Sequence, residues 1–294
     1  MSVSYGNLHV DEKYSSILEP NLFYNAIFVP GQTFTDKYVT GPAGGIYVHS
    51  LTSTACTVGT PGRDFSDEAS ADSLIAIVLN NNYQKSKKIY GVQAANVGID
   101  LANEQLSLAI SEVKESMNMS GLSCLYTEGT TDSTNTDALT VSNIKAEILK
   151  QRTAISKAKG EANVVLCSPD TYATILEAAG TAFTPTVNDQ ITLRGQIGTW
   201  LGMTFVEANG LSESASGYKF TYYNAAGSKV EVTVANMSKV DFIMYNYEAL
   251  SIINNFEVAR IVDSENFAGS KAQVEMNTGF KVTSAGQVRV RKHA

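Results

Sequence analysis

One stretch constrains this chain more than any other: a long hairpin with no obvious partner. Residues 46–54 (IYVHSLTST) read as a strand, residues 59–71 as a turn-rich tip around Pro61-Gly62, and residues 73–79 (SLIAIVL) as an apolar returning strand. An isolated two-stranded hairpin is marginal in water. One this long, with an apolar return, needs a surface to lie on, either in the same chain or in another copy. Residues 1–32 pose the same problem. They mix Tyr14, Phe23, Tyr24 and Phe28 with polar residues and end at Pro30-Gly31, without helical or strand periodicity. That is too aromatic for a disordered tail, so the segment reads as an arm that packs on something else.

Composition points the same way. Of the 294 residues, 44% are hydrophobic, enough for a globular core, while only 17% are charged, against about 25% in an average soluble protein. Ser, Thr, Asn and Gly replace the missing charge. Charges are depleted at the cores of protein–protein interfaces, so this balance fits a chain packed against others, although a secreted protein shows a similar one. The net charge of −7 leaves no basic face for neutralising phosphates. The nearest candidates, Lys85, Lys87 and Lys88 and the tail Arg289, Arg291 and Lys292, read as a solvated face and a frayed end. Cys56, Cys124 and Cys167 are odd in number and contain no CxxC, which fits reduced thiols in a cytosolic protein. No signal peptide is expected from the N-terminal residues, and the longest apolar run, LIAIVL at 74–79, suits a strand and is too short to span a bilayer.

From Asp100 to Met119 the spacing becomes helical, with Ala102, Leu106, Ala109, Ile110, Val113 and Met117 on one face, Asp100 as N-cap and Gly121 as stop. A polar loop (127–140) leads to a second helix from Ser142 to Lys159, with Ile144, Ile148, Leu149 and Ile155 apolar and Gly160 as terminator. Residues 164–180 (VVLCSPDTYATILEAAG) read as a short strand feeding a third helix. Ser168 stands at the N-cap, Pro169 at the first helical position, Asp170 in the first turn and Gly180 past the end. Strands follow: MTFVEA, a hairpin around Ala226-Gly227, DFIMYN, LSIINNFEVARIVD, KAQVEMNTGF and GQVRVRK, with a loop near Asn266 to Gly269. Strands and helices are segregated, which argues for α+β over a doubly wound sheet.

Residues of the kind that carry chemistry do not assemble into a site. Cys167 lies where a helix N-terminus would activate a thiol, but the histidines that could serve it are His9, His49 and His293, in the arm, the hairpin and the tail. A buried strand-end thiol is the preferred reading over a nucleophile. The same shortage excludes histidine-based metal sites. EGTTDSTNTD lacks the spacing and glycine of a calcium loop. GPAGG (41–45) leads into a strand and lacks a phosphate-binding pattern. Asp67 and Glu68 are adjacent, hence on opposite faces of a strand. Trp200 reads as a core anchor. No catalytic, cofactor-binding or metal residue is assigned, and no cofactor is expected.

The order of elements resembles the major capsid protein of tailed bacteriophages, a fold shared with encapsulin shell proteins. The local likeness is carried by VVLCSPDTYATILEA, by LRGQIGTWLGMTFVEANGL and by YNYEALSIINNFEVARIVD with NTGFKV. The resemblance implies an N-terminal arm (1–32), an extended β-hairpin loop (33–88), a peripheral domain with the spine helix (89–125), an axial domain (126–247) and return strands of the peripheral domain (248–294). It implies pentamers and hexamers of an icosahedral shell around double-stranded DNA, held without sequence-specific binding or a membrane. Scaffolding, portal and decoration proteins are the other expected partners, and the virion capsid, assembled in the bacterial host cytoplasm, the expected location. The residues expected at subunit interfaces are Tyr47, His49, Arg63, Asp64, Phe65 and Arg194. Some members of the family join a lysine to an asparagine; Lys37, Lys85, Lys87 and Lys88 lie in or near the loop, but no acceptor matches and no cross-link is assigned. The alternative within the fold is an encapsulin shell around a cargo enzyme. Alternatives outside it are a β-rich binding module, opposed by the long helix, and a cysteine hydrolase at Cys167.

Overall fold

The computed structural model describes residues 4–5, 8–9, 27–38, 45–51, 72–97, 100–134, 136–180, 184–185, 196–211 and 217–294. The first elements are β1 (Gly45–Leu51), β2 (Asp72–Val78), β3 (Asn81–Tyr90), a short α1 (Gly91–Val97) and the long helix α2 (Leu101–Glu128). Asp100 caps α2 as expected, accepting from Asn103 N at 3.3 Å. At 28 residues, α2 is about 42 Å long. It does not stop at Gly121 but runs to Glu128, where the Gly129 N–H closes on Leu125 O at 3.0 Å. The physical reason is that the helix changes environment along its length. Its first half is amphipathic and buries Ala109 and Val113, whereas Asn118 to Leu125 are buried on every side. There Gly121 is a notch for a neighbour: a Cβ on it would stand 2.8 Å from Phe28 Cζ.

Across the first half of α2 lies a three-stranded sheet in the order β11 (Leu250–Asp263), β12 (Gly269–Val282), β3. β12 pairs antiparallel along the length of both neighbours, from Leu250↔Val282 to Asp263↔Ser270 and from Asn81↔Thr278 to Tyr90↔Gly269. Its strict alternation of buried Ala272, Val274 and Met276 with half-buried residues is the period of a strand covered on one face. Val274 and Met276 meet Ala109 and Val113 of α2.

A second, seven-stranded sheet has the order β4 (Thr130–Asp132), β13 (Val288–Lys292), β10 (Val240–Tyr245), β5 (Val164–Cys167), β7 (Met203–Glu207), β6 (Gln196–Trp200) and the pair Thr184–Pro185. β5 and β10 are buried throughout, which is why they are apolar apart from Asp241. Their residues alternate between two cores. Val165, Cys167, Phe205, Phe242 and Met244 face α3 (Ile144–Lys157) and α4 (Pro169–Ala179), while Val164, Leu166, Val206, Ile243 and Val290 face Leu122 and Leu125 of α2. Trp200 anchors the first of these cores. The hairpin β8 (Phe220–Tyr223) and β9 (Lys229–Val232) packs on α2, and a one-turn α5 (Val234–Met237) leads into β10.

Two sequence expectations are corrected here. Leu149 is not on the core face of α3 but exposed; Glu147 and Gln151 take buried positions instead, because Asp132 of β4 accepts from Gln151 Nε2 at 2.6 Å. The tail is not frayed. β13 runs antiparallel to β10 and parallel to β4, so the return section 248–294 ends inside the larger sheet. Arg291 is fully buried, its guanidinium donating to the Asp241 carboxylate and the Asp137 carbonyl, and His293 Nδ1 lies 2.9 Å from Asp241 Oδ1. Lys85 and Lys88 are exposed on β3, in keeping with a solvated face, while the half-buried Lys87 joins Lys85 in pairing with Glu112.

Candidate subunit-interface surface

The β1–β2 hairpin sorts its residues with the two-residue period of a strand. Ile46 stands opposite Ile77 and Val48 opposite Ile75, while Tyr47 stands opposite Ala76 and His49 opposite Leu74. The first face is used within the chain: Ile77 is buried with Leu79 and Ile253, and Tyr38, Ile46 and Val48 close over them. The second face is outward, with Tyr47 70% and Leu74 59% exposed. These two are diagonal neighbours, within reach of one another as one apolar patch. Of the residues expected at subunit interfaces, Tyr47 and His49 thus share the outward face. Arg63, Asp64, Phe65 and Arg194 lie outside the described residues.

A cleft of ≈ 770 Å³ opens between β3, α2 and the β8–β9 hairpin. Glu112 and Glu115, one helical turn apart on α2, both line it. Lys85 Nζ is 2.9 Å from Glu112 Oε2 and Lys87 Nζ 2.6 Å from Oε1. Burial alone would raise the Glu112 pKa, but the two ammonium groups together hold it below the usual carboxylate value. Among the described residues Glu115 has no such partners. Burial pushes its carboxyl up, the Tyr218 hydroxyl donating to it offsets part of the rise, and the neighbouring Glu112 charge adds to it. Tyr83, Tyr218 and Tyr223 form aromatic walls, and burial holds the Tyr83 and Tyr218 hydroxyls up at about 12. The spacing of Glu112 and Glu115 was visible on the helix, but the tyrosine and lysine walls come from β3 and β8–β9, over a hundred residues apart, and carry no local motif.

Cys167 ends β5 fully buried, and its thiol donates to Val206 O at 3.5 Å. Burial pushes the thiol pKa far above its ordinary value, with the Glu207 charge adding to the shift. A thiol held protonated is a poor nucleophile. Ser168 lines a small cleft with Asp241 and His293, but its hydroxyl is committed to the helix cap, donating to Thr171 Oγ1 at 2.9 Å and accepting from Thr171 N at 3.3 Å. The junction is built as a cap. Cys124 is also free and buried. Among the described residues no group of three or more His, Cys, Asp or Glu is placed to hold a metal ion, and no helix is long and apolar enough to cross a membrane.

No protein-family model and no curated protein matches the chain in sequence. Solved structures do match it in fold. A chain from Mycobacterium phage Che8 superposes with a TM-score of 0.69 at 14% identity, covering 98% of each chain. The capsid structure of cyanophage P-SCSP1u gives 0.68 at 10% identity, covering 96% of this chain and 92% of that one. The mature capsid of bacteriophage PhiM1 gives 0.64 at 12% identity, covering 96% and 91%. The chain has the α+β fold of phage capsid proteins, over almost its whole length.

Proposed function

We propose that this chain is a major capsid protein whose copies form pentamers and hexamers of a closed icosahedral shell around double-stranded DNA. The observation that carries the reading is the hairpin, which buries one face in its own chain and leaves Tyr47 and Leu74 exposed on the other, in a fold matched to phage capsid structures over almost its whole length. Laid over the next subunit, that face makes a heterologous contact, which closes into a ring when the rotation permits. The division into arm (1–32), extended loop (33–88), spine-bearing peripheral part (89–125), axial part (126–247) and return (248–294) belongs to this proposal. Its final strand, β13, joins the sheet of the axial part. A net charge of −7 suits a wall that encloses DNA without gripping it. Scaffolding, portal and decoration proteins would be its other partners. Assembly in the host cytoplasm and residence in the virion follow from the same reading.

Negative-stain microscopy of the purified protein, beside its mass in solution, tests the proposal. Closed shells or capsomer fragments are the expected result. A monodisperse monomer under conditions that favour assembly overturns it. Uniform small particles that form without helpers turn the reading toward an encapsulin-type compartment.

A further inference from the structure

The three-stranded sheet lies against α2 with one face only. Ala272, Val274 and Met276 of β12 point toward the helix, so Lys271, Gln273 and Glu275 beside them point the other way. Register carries that second face across the sheet. Lys271 stands opposite Lys88 of β3, Gln273 opposite Ser86 and Arg260, and Glu275 opposite Gln84 and Val258. Gln84, Ser86, Lys88 and Arg260 are all exposed on it.

At one end of this face the charges are unmatched. Lys88 and Lys271 are direct cross-strand partners, and like charges in that position repel. Neither is in an ion pair among the described residues, the adjoining Asp263 and Glu265 included. The Phe267 ring lies 5.9 Å from Lys88 Nζ and 5.8 Å from Lys271 Nζ, with the Tyr90 ring 5.1 Å away. The turn holds Phe267 in place, because Ser264 N donates to Gly269 O at 2.9 Å and Gly91 N to Ala268 O at 3.0 Å. Arg260, one row further along, donates through Nε to Gln273 Oε1 at 3.2 Å. Glu275 is the acid of this face, about 13 Å from Lys271 along the strand, and it accepts from Asn82 Nδ2 and Gln84 Nε2 at 2.9 Å each. A hollow of ≈ 440 Å³ separates the two ends, lined by Gln84, Ser86, Val258, Arg260, Gln273 and Glu275.

We propose that this face docks a different protein through an acidic segment. Its carboxylates settle between Lys88, Lys271 and Arg260 and relieve the repulsion there. An apolar or aromatic side chain packs on Tyr90 and Phe267, and uncharged polar groups fill the hollow beside Glu275. A nucleic-acid strand fits less well: Glu275 and a net charge of −7 oppose a uniform polyanion, whereas a protein can match this face point by point. The face is complete on one subunit, so the inference goes beyond the capsid reading and is tested apart from it.

The unassembled subunit is titrated with a fluorescent glutamate-rich peptide carrying one tryptophan, and binding is followed by anisotropy. Binding is expected at low salt and weakens as salt screens it. Lys88→Glu is expected to weaken it about tenfold or more. The same variant leaves the melting temperature unchanged or raises it, because it turns a like-charged cross-strand pair into an opposite one. Phe267→Ala weakens binding about threefold or more, while Lys229→Glu, on the β8–β9 hairpin, changes it by less than about twofold. A wild type that does not bind the peptide, or a Lys88→Glu variant that binds as well, overturns the inference. So does single-stranded DNA of equal charge binding tighter than the peptide, which makes the face a nucleic-acid surface. Loss of shells in Lys88→Glu also overturns it, by making the face a contact between copies. Peptide binding by a wild type that forms no shells upholds this inference while the capsid reading falls.

Discussion

Replacing Arg291 by methionine probes the feature of the fold that was least visible in the sequence. The side chain is fully buried near the end of β13, which lies between β4 and β10, and its guanidinium serves the Asp241 carboxylate and the Asp137 carbonyl. Asp241 is itself only 7% exposed. Methionine fills much of the space but takes the guanidinium away from that carboxylate, leaving His293 beside it, and removes a donor from the carbonyl. Breaking one side of a buried ion pair costs about 3–5 kcal/mol, against less than about 1 kcal/mol for an exposed pair such as Lys229–Glu231. At about 2 °C per kcal/mol for a chain this size, the unassembled subunit should melt about 6–10 °C lower, measured by circular dichroism or scanning calorimetry. The companion variant Arg291→Met with Asp241→Leu removes both charges. It should recover most of the loss, because a buried pair stabilises a protein little more than an apolar replacement does. A single variant melting within about 2 °C of wild type would refute the argument, since it would mean that Asp241 finds water or another cation. A double variant as unstable as the single would show that the Asp137 carbonyl or strand geometry, not the orphaned carboxylate, dominates.

Gly121→Ala should destabilise the subunit by about 1–3 kcal/mol through overpacking, because its Cβ would stand 2.8 Å from Phe28 Cζ; adding Phe28→Leu should recover part of the loss in a melting experiment. Asp132→Asn should cost about 1–3 kcal/mol at neutral pH. Burial opposes the Asp132 charge, but Lys150, Thr134 and Gln151 outweigh it and hold the folded pKa well below the usual value. The wild-type advantage is therefore complete above the unfolded carboxylate pKa and shrinks as pH falls through the folded one, which a series of melts from pH 7 downward would follow. Ile77→Ala and Leu74→Ser separate the two faces of the hairpin: the first should lower subunit stability by about 2–5 kcal/mol, while the second should leave it within about 0.5 kcal/mol yet reduce shell yield by sedimentation.

What the sequence disclosed and what it concealed divide by the range of the interactions involved. The Ser168 cap, Pro169 at the first helical position and Gly180 at a φ of 52° are chemistry between residues a few positions apart, and they were legible. So was β12, whose alternation reports a sheet covered on one face. The second half of α2 was not, because total burial erases the helical period and Gly121 then looks like a stop. Arg291 was not, because nothing near it in sequence announces Asp241, fifty residues away. The same holds for the Glu115 cleft, whose walls come from three separate elements. Of the expected interface residues, Tyr47 and His49 fell on the outward face because strand alternation is again a local rule.

The long-range ion pairs also change the meaning of the low charge content. Arg291 with Asp241, Lys150 with Asp132, Lys281 with Glu128 and the two lysines on Glu112 tie separate elements together, and most of their members are buried or half-buried. Nine of the chain's 22 Lys and Arg and 29 Asp and Glu are thus committed to joins between its own elements, which leaves an outer surface somewhat richer in neutral polar groups than composition alone implies. Stripping water from a neutral hydroxyl or amide costs far less than stripping it from an ion. On the capsid reading, subunits with such surfaces can meet over wide areas with only a few charged groups to match, and those few then decide register more than total affinity. Adding surface lysines and glutamates away from the hairpin, in balanced numbers, should accordingly leave the subunit folded while weakening shell formation. If instead such variants assemble as well as the wild type, the neutral surface has no part in assembly and the hairpin contacts alone must hold the shell.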